Sequence, residues 1–356
     1  MYAYTILDQI RKQVAARPES LREARERRDR VLRTASSFNG VLRTYKAGSL
    51  ATRFTNRPVS DADAGVVMDR RTLPDLGPDG EGELPAELVN KIRLHIRPQL
   101  AAQYSNVRVE RMKRGLLIRF GQLLTSGEDP SVDLVVALNR AVDDALWIPN
   151  LDKNRWDPSH PEKHVQLFTS STEKHRRTRR HVVRLAKAQV QQFDKPHLCS
   201  FNIAALAWEC IQSAERIDLA LLRFFEYSAT ELAKHFTKDP AGVSDSIRVD
   251  DRELAVKRLR RTADGLRLAI DAGNNEDKVR EVLATQGVFW KLLQPQNDNR
   301  NNGVLHGSHT NNVVEAVRTG GIVSVAASGT LATGKSSRGA TPLKLTRAYG
   351  GFRAYG

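Results

Sequence analysis

The sequence contains little cysteine and lacks any apolar run long enough to cross a membrane. Its 356 residues include two cysteines, Cys199 and Cys210, with no histidine pair near them at metal-ligand spacing. A disulfide framework and a structural zinc site are therefore not expected. No segment approaches the roughly 20 apolar residues that span a bilayer, and the first residues lack the layout of a signal peptide. We expect a cytoplasmic protein without a membrane partner.

Acidic residues are outnumbered by basic ones. There are 41 Asp and Glu against 56 Lys and Arg, which gives a formal net charge of +15. A balance of this kind suits a polyanionic partner. Composition does not distinguish a nucleic acid from a free nucleotide, so nucleic acid is a compatible partner but not a required one.

The order of sequence patterns predicts an α+β first part and a helical second part. Residues 1–150 contain N-terminal helices and the strand-like runs DADAGVVMD, NVRVERM, GLLIRFG and SVDLVVAL. In residues 151–293 apolar positions recur every three or four residues, and strand signals nearly vanish. Residues 294–356 are rich in Asn, Gly, Ser and Thr, which predicts a flexible tail with one short strand in GGIVSVAAS.

Two aspartates interrupt the first of these strands. Asp61 and Asp63 are two residues apart, so in a strand their carboxylates point to the same face. Neighbouring carboxylates repel each other unless a cation lies between them, and Mg²⁺, with Mn²⁺ as the alternative, prefers such oxygen ligands. The other interpretation is an exposed turn after RPVS, where aspartate is common.

Three further residues extend this pattern into a candidate site for phosphoryl transfer. Asp133 in SVDLVVAL supplies a third carboxylate if its strand pairs beside the first. Two metal ions about 3.5 to 4 Å apart could then bind the attacking oxygen and the leaving pyrophosphate. Gly48 would let the backbone approach a phosphate, and Ser49 would add a hydroxyl and an amide donor.

This layout resembles the signature of polymerase-beta-like nucleotidyltransferases. It is most similar to the branch that contains oligoadenylate synthetases, the metazoan DNA-sensing cyclic dinucleotide synthase and the bacterial CD-NTases of CBASS anti-phage systems. The segments WDPSHPEKHVQLF, RHVVRLAKAQVQQF, HLCSFNIAALAWECI and TKDPAG resemble the helical lobe of the bacterial enzymes, and the similarity covers about residues 45–293. The sequence lacks the Cys/His cluster of the metazoan sensor, which favours the bacterial type.

The resemblance implies a bilobed nucleotidyltransferase fold. A mixed-sheet palm lobe would carry the carboxylates, and the second, oligoadenylate-synthetase-like lobe would be all helical. The resemblance further implies that Lys187 and Ser200 contact the nucleotide triphosphate. From the residues alone, Lys187 is equally interpreted as one more exposed lysine of a basic helix, and Ser200 as the N-cap of the helix that follows.

The resulting hypothesis is an enzyme that converts NTPs into a cyclic di- or trinucleotide second messenger and releases pyrophosphate. Asp61 and Asp63 would hold two magnesium ions, and Asp133 would join them at the catalytic ion. A downstream effector would bind the product in antiviral signalling. A linear oligonucleotide synthetase or tRNA-tailing transferase is the alternative enzyme, and a basic nucleic-acid-binding protein on a degenerate transferase scaffold is the non-enzymatic alternative.

The C-terminal residue raises a separate hypothesis. The sequence ends in RAYGGFRAYG, and a terminal glycine is what ubiquitin-like conjugation requires. Some bacterial relatives are attached to targets in this way by an associated ubiquitin-transfer-like enzyme. Conjugation through Gly356 and an ordinary chain end therefore both stay open.

Overall fold

The strand-like runs of the first half form a mixed β-sheet, and the later periodic segments form a group of helices. The computed structural model describes residues 2–80, 82–293, 323–325 and 331–333. Their contacts define a sheet unit, residues 16–171 and 237–248, and a helical unit, residues 2–15, 172–236 and 249–293. The chain passes from the sheet unit to the helical unit between residues 171 and 172. The domain boundary at residue 150 stays a prediction.

Seven strands build the sheet of the sheet unit. They are β1 (Val41–Lys46), β2 (Asp61–Met68), β3 (Arg108–Met112), β4 (Gly115–Arg119), β5 (Ser131–Asn139), β6 (Leu146–Asn150) and β7 (Arg155–Ser159). Five of them follow the order β1-β2-β5-β4-β3, and β6 pairs with both β5 and β7. The pair β2 and β5 is parallel, while the other pairs are antiparallel.

One face of the sheet is covered by α2 (Pro18–Ser36) and α4 (Pro85–Ala101). Every second residue of β2 and β5 is fully buried in the core on this face: Ala62, Ala64 and Val66 from β2, and Val132, Leu134 and Val136 from β5. Because successive side chains of a strand point to opposite faces, the residues between them lie on the other face. The short helix α3 (Gly48–Thr52) packs against β2, and α5 (Pro161–Thr169) packs against α3.

Several elements differ from what the sequence patterns predict. The helix-friendly pattern extends to Leu42, but α2 ends at Ser36 and β1 begins at Val41. The strands β6 and β7 extend to Ser159, where the pattern favoured helices. Since β7 pairs with β6 alone in this sheet, it is an edge strand, and an edge strand tolerates a proline such as Pro158.

The helix α4 contains Pro98, although a proline inside a helix usually ends or kinks it. Proline removes the hydrogen bond to the carbonyl four residues earlier, here that of Leu94. Leu94 is 55% exposed, so this turn faces water, which can bind the carbonyl instead. The helix therefore continues past Pro98 and ends at Ala101.

The helical unit contains α1 (Tyr2–Gln13), α6 (Glu173–Val190), α7 (Ser200–Cys210), α8 (Ile217–Lys234), α9 (Arg252–Asn274) and α10 (Lys278–Val288). The first helix packs against α6, α8, α9 and α10 and buries its apolar residues there, Leu7 completely. The amide of Ala3 donates a 2.6 Å hydrogen bond to the carboxylate of Glu281 on α10. The first helix is thus part of the helical unit.

Two short strands are described in the C-terminal segment. The strand β8 (Val323–Val325), which lies in the predicted strand segment GGIVSVAAS, pairs in antiparallel fashion with β9 (Leu331–Thr333). The rest of the predicted flexible tail, including Gly356, lies outside the described residues.

Candidate active site

The parallel pairing of β2 and β5 brings the three predicted carboxylates onto one face of the sheet. Asp63 is the direct cross-strand neighbour of Asp133, and Asp61 is the neighbour of Ser131. All three aspartates alternate with core residues and therefore lie on the face opposite α2 and α4. We call this side of the sheet, with Asp61, Asp63 and Asp133, the carboxylate face. Since paired strands lie about 4.8 Å apart, the acidic side chains of Asp63 and Asp133 are close together.

Two of these carboxylates are nearly excluded from solvent. Asp63 is 9% exposed and Asp133 is 7% exposed. Burial, together with the negative charge of Asp61, raises the pKa of Asp133 to about 7, and only the charge of Arg119 acts in the opposite direction. The sheet face therefore holds negative charge that is costly to bury, and a cation would relieve this cost.

The donor set suits a divalent metal ion, although the side chains are not gathered into a complete metal cluster. Among the described residues, no group of three or more His, Cys, Asp or Glu is arranged to hold a metal ion. The two buried carboxylates are nevertheless cross-strand neighbours, and Mg²⁺ commonly binds one or two carboxylates and takes its other ligands from water and phosphate. The residues present therefore fit such an ion when a nucleotide completes its ligands.

Gly48 is packed against one of these carboxylates. Its φ of +65° belongs to the left-handed region, which glycine adopts at little cost. A Cβ at this position would lie 1.7 Å from Oδ2 of Asp63. The neighbouring amide of Ala47 donates a 3.1 Å hydrogen bond to the carbonyl oxygen of Asp63. The segment that precedes α3 is thus fixed to the acidic strand, and only glycine fits at its start.

Ser49 is held in the same short helix. Its hydroxyl oxygen accepts a 3.2 Å hydrogen bond from the hydroxyl of Thr55, and its carbonyl accepts a 2.8 Å bond from the amide of Phe54. A serine hydroxyl can donate one hydrogen bond while it accepts another. Ser49 therefore keeps the capacity to donate to a phosphate oxygen.

Lys187 and Ser200 lie in the helical unit, whereas the carboxylates lie in the sheet unit. Lys187 is only 8% exposed, so the interpretation as an exposed lysine of a basic helix is wrong. The N-cap interpretation of Ser200 is also wrong, because Cys199 is the N-cap and its sulfur accepts from the amide of Asn202 at 3.4 Å. Ser200 is instead the first residue of α7.

The sequence did not single out three residues on the carboxylate face. The ring of Tyr45 on β1 lies directly over Gly65 on β2, where a Cβ would be 2.2 Å from Cζ of the tyrosine. A glycine inside a valine-rich strand is a signal of such close approach. Arg119 on β4 carries no sequence signal, because its position beside Asp133 depends on strand pairing.

The fold of the chain is similar to that of solved bacterial proteins. Neither a protein-family model nor a curated protein matches the chain. E. coli CdnC, solved in a complex with HORMA-deltaN, is 16% identical with a TM-score of 0.57, and the match covers 79% of this chain and 96% of CdnC. The Bradyrhizobium diazoefficiens CD-NTase CdnG, solved with GTP, is 14% identical with a TM-score of 0.58, and the match covers 80% and 96%. The STING-associated CdnE c-di-GMP synthase of Capnocytophaga granulosa is 18% identical with a TM-score of 0.54, and the match covers 70% and 81%.

These likenesses establish the fold. The chain has an α+β fold with a mixed sheet and several helices, and it shares this fold with the three solved structures. One of these structures is named a CD-NTase and another a c-di-GMP synthase, so the predicted resemblance to CD-NTases is confirmed at the level of the fold. Among the described residues, no helix combines the length and the apolar composition needed to span a bilayer.

Proposed function

We propose that the protein is a metal-dependent nucleotidyltransferase that joins NTPs into a cyclic di- or trinucleotide and releases pyrophosphate. The observation that supports this most directly is the placement of Asp63 beside Asp133, on a face that also carries Asp61. The likeness of the fold to CD-NTases, one solved with GTP and another named a c-di-GMP synthase, supports the same class of reaction.

The reaction would consist of one in-line displacement for each bond formed. The oxygen of a ribose hydroxyl bonds to the α-phosphorus of a second nucleotide, and the bond from that phosphorus to the oxygen of the β-phosphate breaks. Pyrophosphate leaves, and the hydroxyl proton passes to Asp133 in this proposal. Catalysis of this type depends on positioning and on neutralising charge.

The carboxylates are the proposed ligands of Mg²⁺ or Mn²⁺. Asp61 and Asp63 would hold both ions, and Asp133 would join them at one. When bound, the ions would supply charge neutralisation at the attacking and leaving oxygens. The chain itself would hold these ligands in place through the register of β2 and β5 and through the contact between Gly48 and Asp63.

A further part of the proposal concerns the donor triphosphate. The residues proposed to bind it are Gly48, Ser49, Lys187 and Ser200. Ser49 keeps a donor for a phosphate oxygen, whereas the roles of Lys187 and Ser200 are proposed from the resemblance to the CD-NTases.

The biological setting is a further part of the proposal. We propose a role in antiviral signalling, in which an effector binds the cyclic product. E. coli CdnC was solved together with a HORMA protein, and a protein partner of this chain is proposed on that likeness. Conjugation through Gly356 rests on the sequence alone.

Product analysis tests the proposed function. The purified protein is incubated with Mg²⁺ or Mn²⁺ and labelled NTPs, singly and mixed, and the products are treated with phosphatase. A labelled product that resists phosphatase is expected, because a cyclic nucleotide has no terminal phosphate. Phosphatase-sensitive oligomers would instead identify a linear synthetase. If nothing forms, and duplex nucleic acid binds with a steep salt dependence, the non-enzymatic alternative is correct.

A further inference from the structure

A small basic surface continues the carboxylate face beyond Asp133. The strand β4 lies next to β5, and its Leu117 is the cross-strand neighbour of Asp133. Leu116 and Ile118 point into the core, so Leu117 and Arg119 point to the carboxylate face. The strand order therefore places a cation on the same face as the carboxylates, one strand away.

The neighbouring strand β3 adds one more cation and one anion to this surface. Arg108 is the cross-strand neighbour of Arg119, and Val109 between Arg108 and Glu110 points into the core. Both Arg108 and Glu110 are thus on the carboxylate face. We call Arg108, Glu110 and Arg119 the hairpin cluster, and its net charge is positive.

The charges of the hairpin cluster are accessible and only weakly paired. Nε of Arg119 is 3.3 Å from Glu110, with side chains 48% and 44% exposed, and Nε of Arg108 is 4.0 Å from the same carboxylate. Ion pairs this exposed contribute little to stability, so the guanidinium groups can exchange Glu110 for a stronger anion. Arg119 already acts electrostatically on Asp133 and lowers its pKa against the effect of burial.

We infer that Arg119, with Arg108 beside it, binds the 5′-triphosphate of the acceptor nucleotide, the one whose ribose hydroxyl attacks. This inference rests on the proposed function. The proposed donor residues Gly48 and Ser49 lie next to β2, whereas the hairpin cluster lies on the opposite side of β5. An acceptor that approaches Asp133 from that side brings its phosphates over β4 and β3.

The chemistry of the first transfer explains why a cation is needed there. The donor loses pyrophosphate, but the acceptor keeps its whole triphosphate while its ribose hydroxyl reacts. Those phosphates would lie near the carboxylates and would be repelled by them. A planar guanidinium that can bind phosphate oxygens through two N–H groups offsets this repulsion and orients the acceptor.

The experiment removes the phosphates from the acceptor nucleotide and the positive charge from residue 119, and it measures whether the two changes depend on each other. The donor is a labelled 2′,3′-dideoxynucleoside triphosphate, which has no ribose hydroxyl and can act only as donor. The acceptor is either the NTP that the wild type uses best or the same nucleoside without phosphates. The value of kcat/KM for each acceptor is measured in the wild type, in Arg119→Gln, in Arg119→Lys and in the control Arg111→Gln.

The control variant removes the same charge from the same hairpin on the other face. Arg111 is exposed and is paired with Leu116, so it points to the side of α4 rather than to the carboxylates. Thermal midpoints verify that all variants are folded, which is expected because Arg119 and Arg111 are both substantially exposed.

The wild type should prefer the triphosphate acceptor, and Arg119→Gln should reduce this preference by about tenfold, as the loss of a charge-assisted hydrogen bond implies. Arg119→Lys should recover part of it, and Arg111→Gln should keep it. The inference is overturned if Arg119→Gln lowers the use of both acceptors equally or leaves the preference unchanged. If the wild type transfers to neither acceptor, the proposed function itself fails, and the inference fails with it.

Discussion

Replacing Gly48 by alanine should have two effects: backbone strain at this residue and displacement of the Asp63 carboxylate. With φ at +65°, alanine would be strained by about 1 kcal/mol. The new Cβ would also lie 1.7 Å from Oδ2 and 2.3 Å from Cγ of Asp63. Ordinary contact needs about 3.5 Å, so the carboxylate would have to withdraw by about 2 Å.

A withdrawal of this size should be costly for catalysis. Misplacing a reacting group by about 1 Å can cost about a hundredfold in rate, so Gly48→Ala should reduce the rate of pyrophosphate release at saturating NTP at least that much. The matched control is Gly127→Ala. Gly127 has a φ of +79°, and no described atom lies within 4 Å of the Cβ that alanine would add.

The two variants distinguish the effect of backbone strain from the effect of the contact with Asp63. Both should lose about 1 kcal/mol of folding free energy from the backbone strain, but only Gly48→Ala should lose activity. The activity is measured as pyrophosphate release and the stability as the midpoint of urea unfolding. If Gly48→Ala retains wild-type activity, or if Gly127→Ala loses as much, the contact with Asp63 is not what positions the site.

Three further predictions concern buried polar groups. The Tyr45 hydroxyl is buried and has no hydrogen-bond partner among the described residues, so Tyr45→Phe should stabilise the fold by about 1 kcal/mol, and a lower thermal midpoint would contradict this. Burial, aided by a nearby arginine, lowers the pKa of His197 from 6.5 to about 3, so the unfolded chain takes up a proton below pH 6.5 that the folded chain refuses. Stability should fall by about 1.4 kcal/mol per pH unit between pH 6 and pH 4 from this group, and urea unfolding of His197→Phe should lack this part of the slope. Asp133→Asn should raise the thermal midpoint in metal-free buffer at pH 8, since it removes a buried charge beside two other carboxylates, and an unchanged midpoint would show that the charges do not repel.

The acidic strands were predictable because their signal is local. The spacing of Asp61 and Asp63 and the apolar alternation around Asp133 each lie within one strand, so period-two reasoning assigns the correct face. The pairing of these two strands was a condition in the prediction, and the structure supplies it as a parallel pair.

Arg27 illustrates what local patterns cannot predict. The sequence around it predicts a helix with an exposed basic face, yet Arg27 is completely buried. Its guanidinium donates to Glu23 in the same helix, but also to Asp129 and to the carbonyls of Gln122 and Pro130 in the loop before β5. Burial of a charge depends on such distant partners, which helical periodicity does not reveal.

Local sequence patterns also fail to predict several features of the candidate site. The contact of Gly48 with Asp63 joins residues that the sequence had assigned to separate roles. Lys187 is buried although it belongs to a strongly basic helix, and the place of Arg119 depends on the register of β4. Each of these features is a tertiary property, so spacing and composition could not determine it.

The central claim is that the three aspartates on β2 and β5 catalyse nucleotidyl transfer. The most direct test is pyrophosphate release from an equimolar NTP mixture with Mg²⁺, measured for the wild type and for the folded variants Asp61→Asn and Asp133→Asn. The account predicts release by the wild type and a loss of at least about a thousandfold in each variant, as expected for groups that act in the transition state. Release by either variant at the wild-type rate would contradict it.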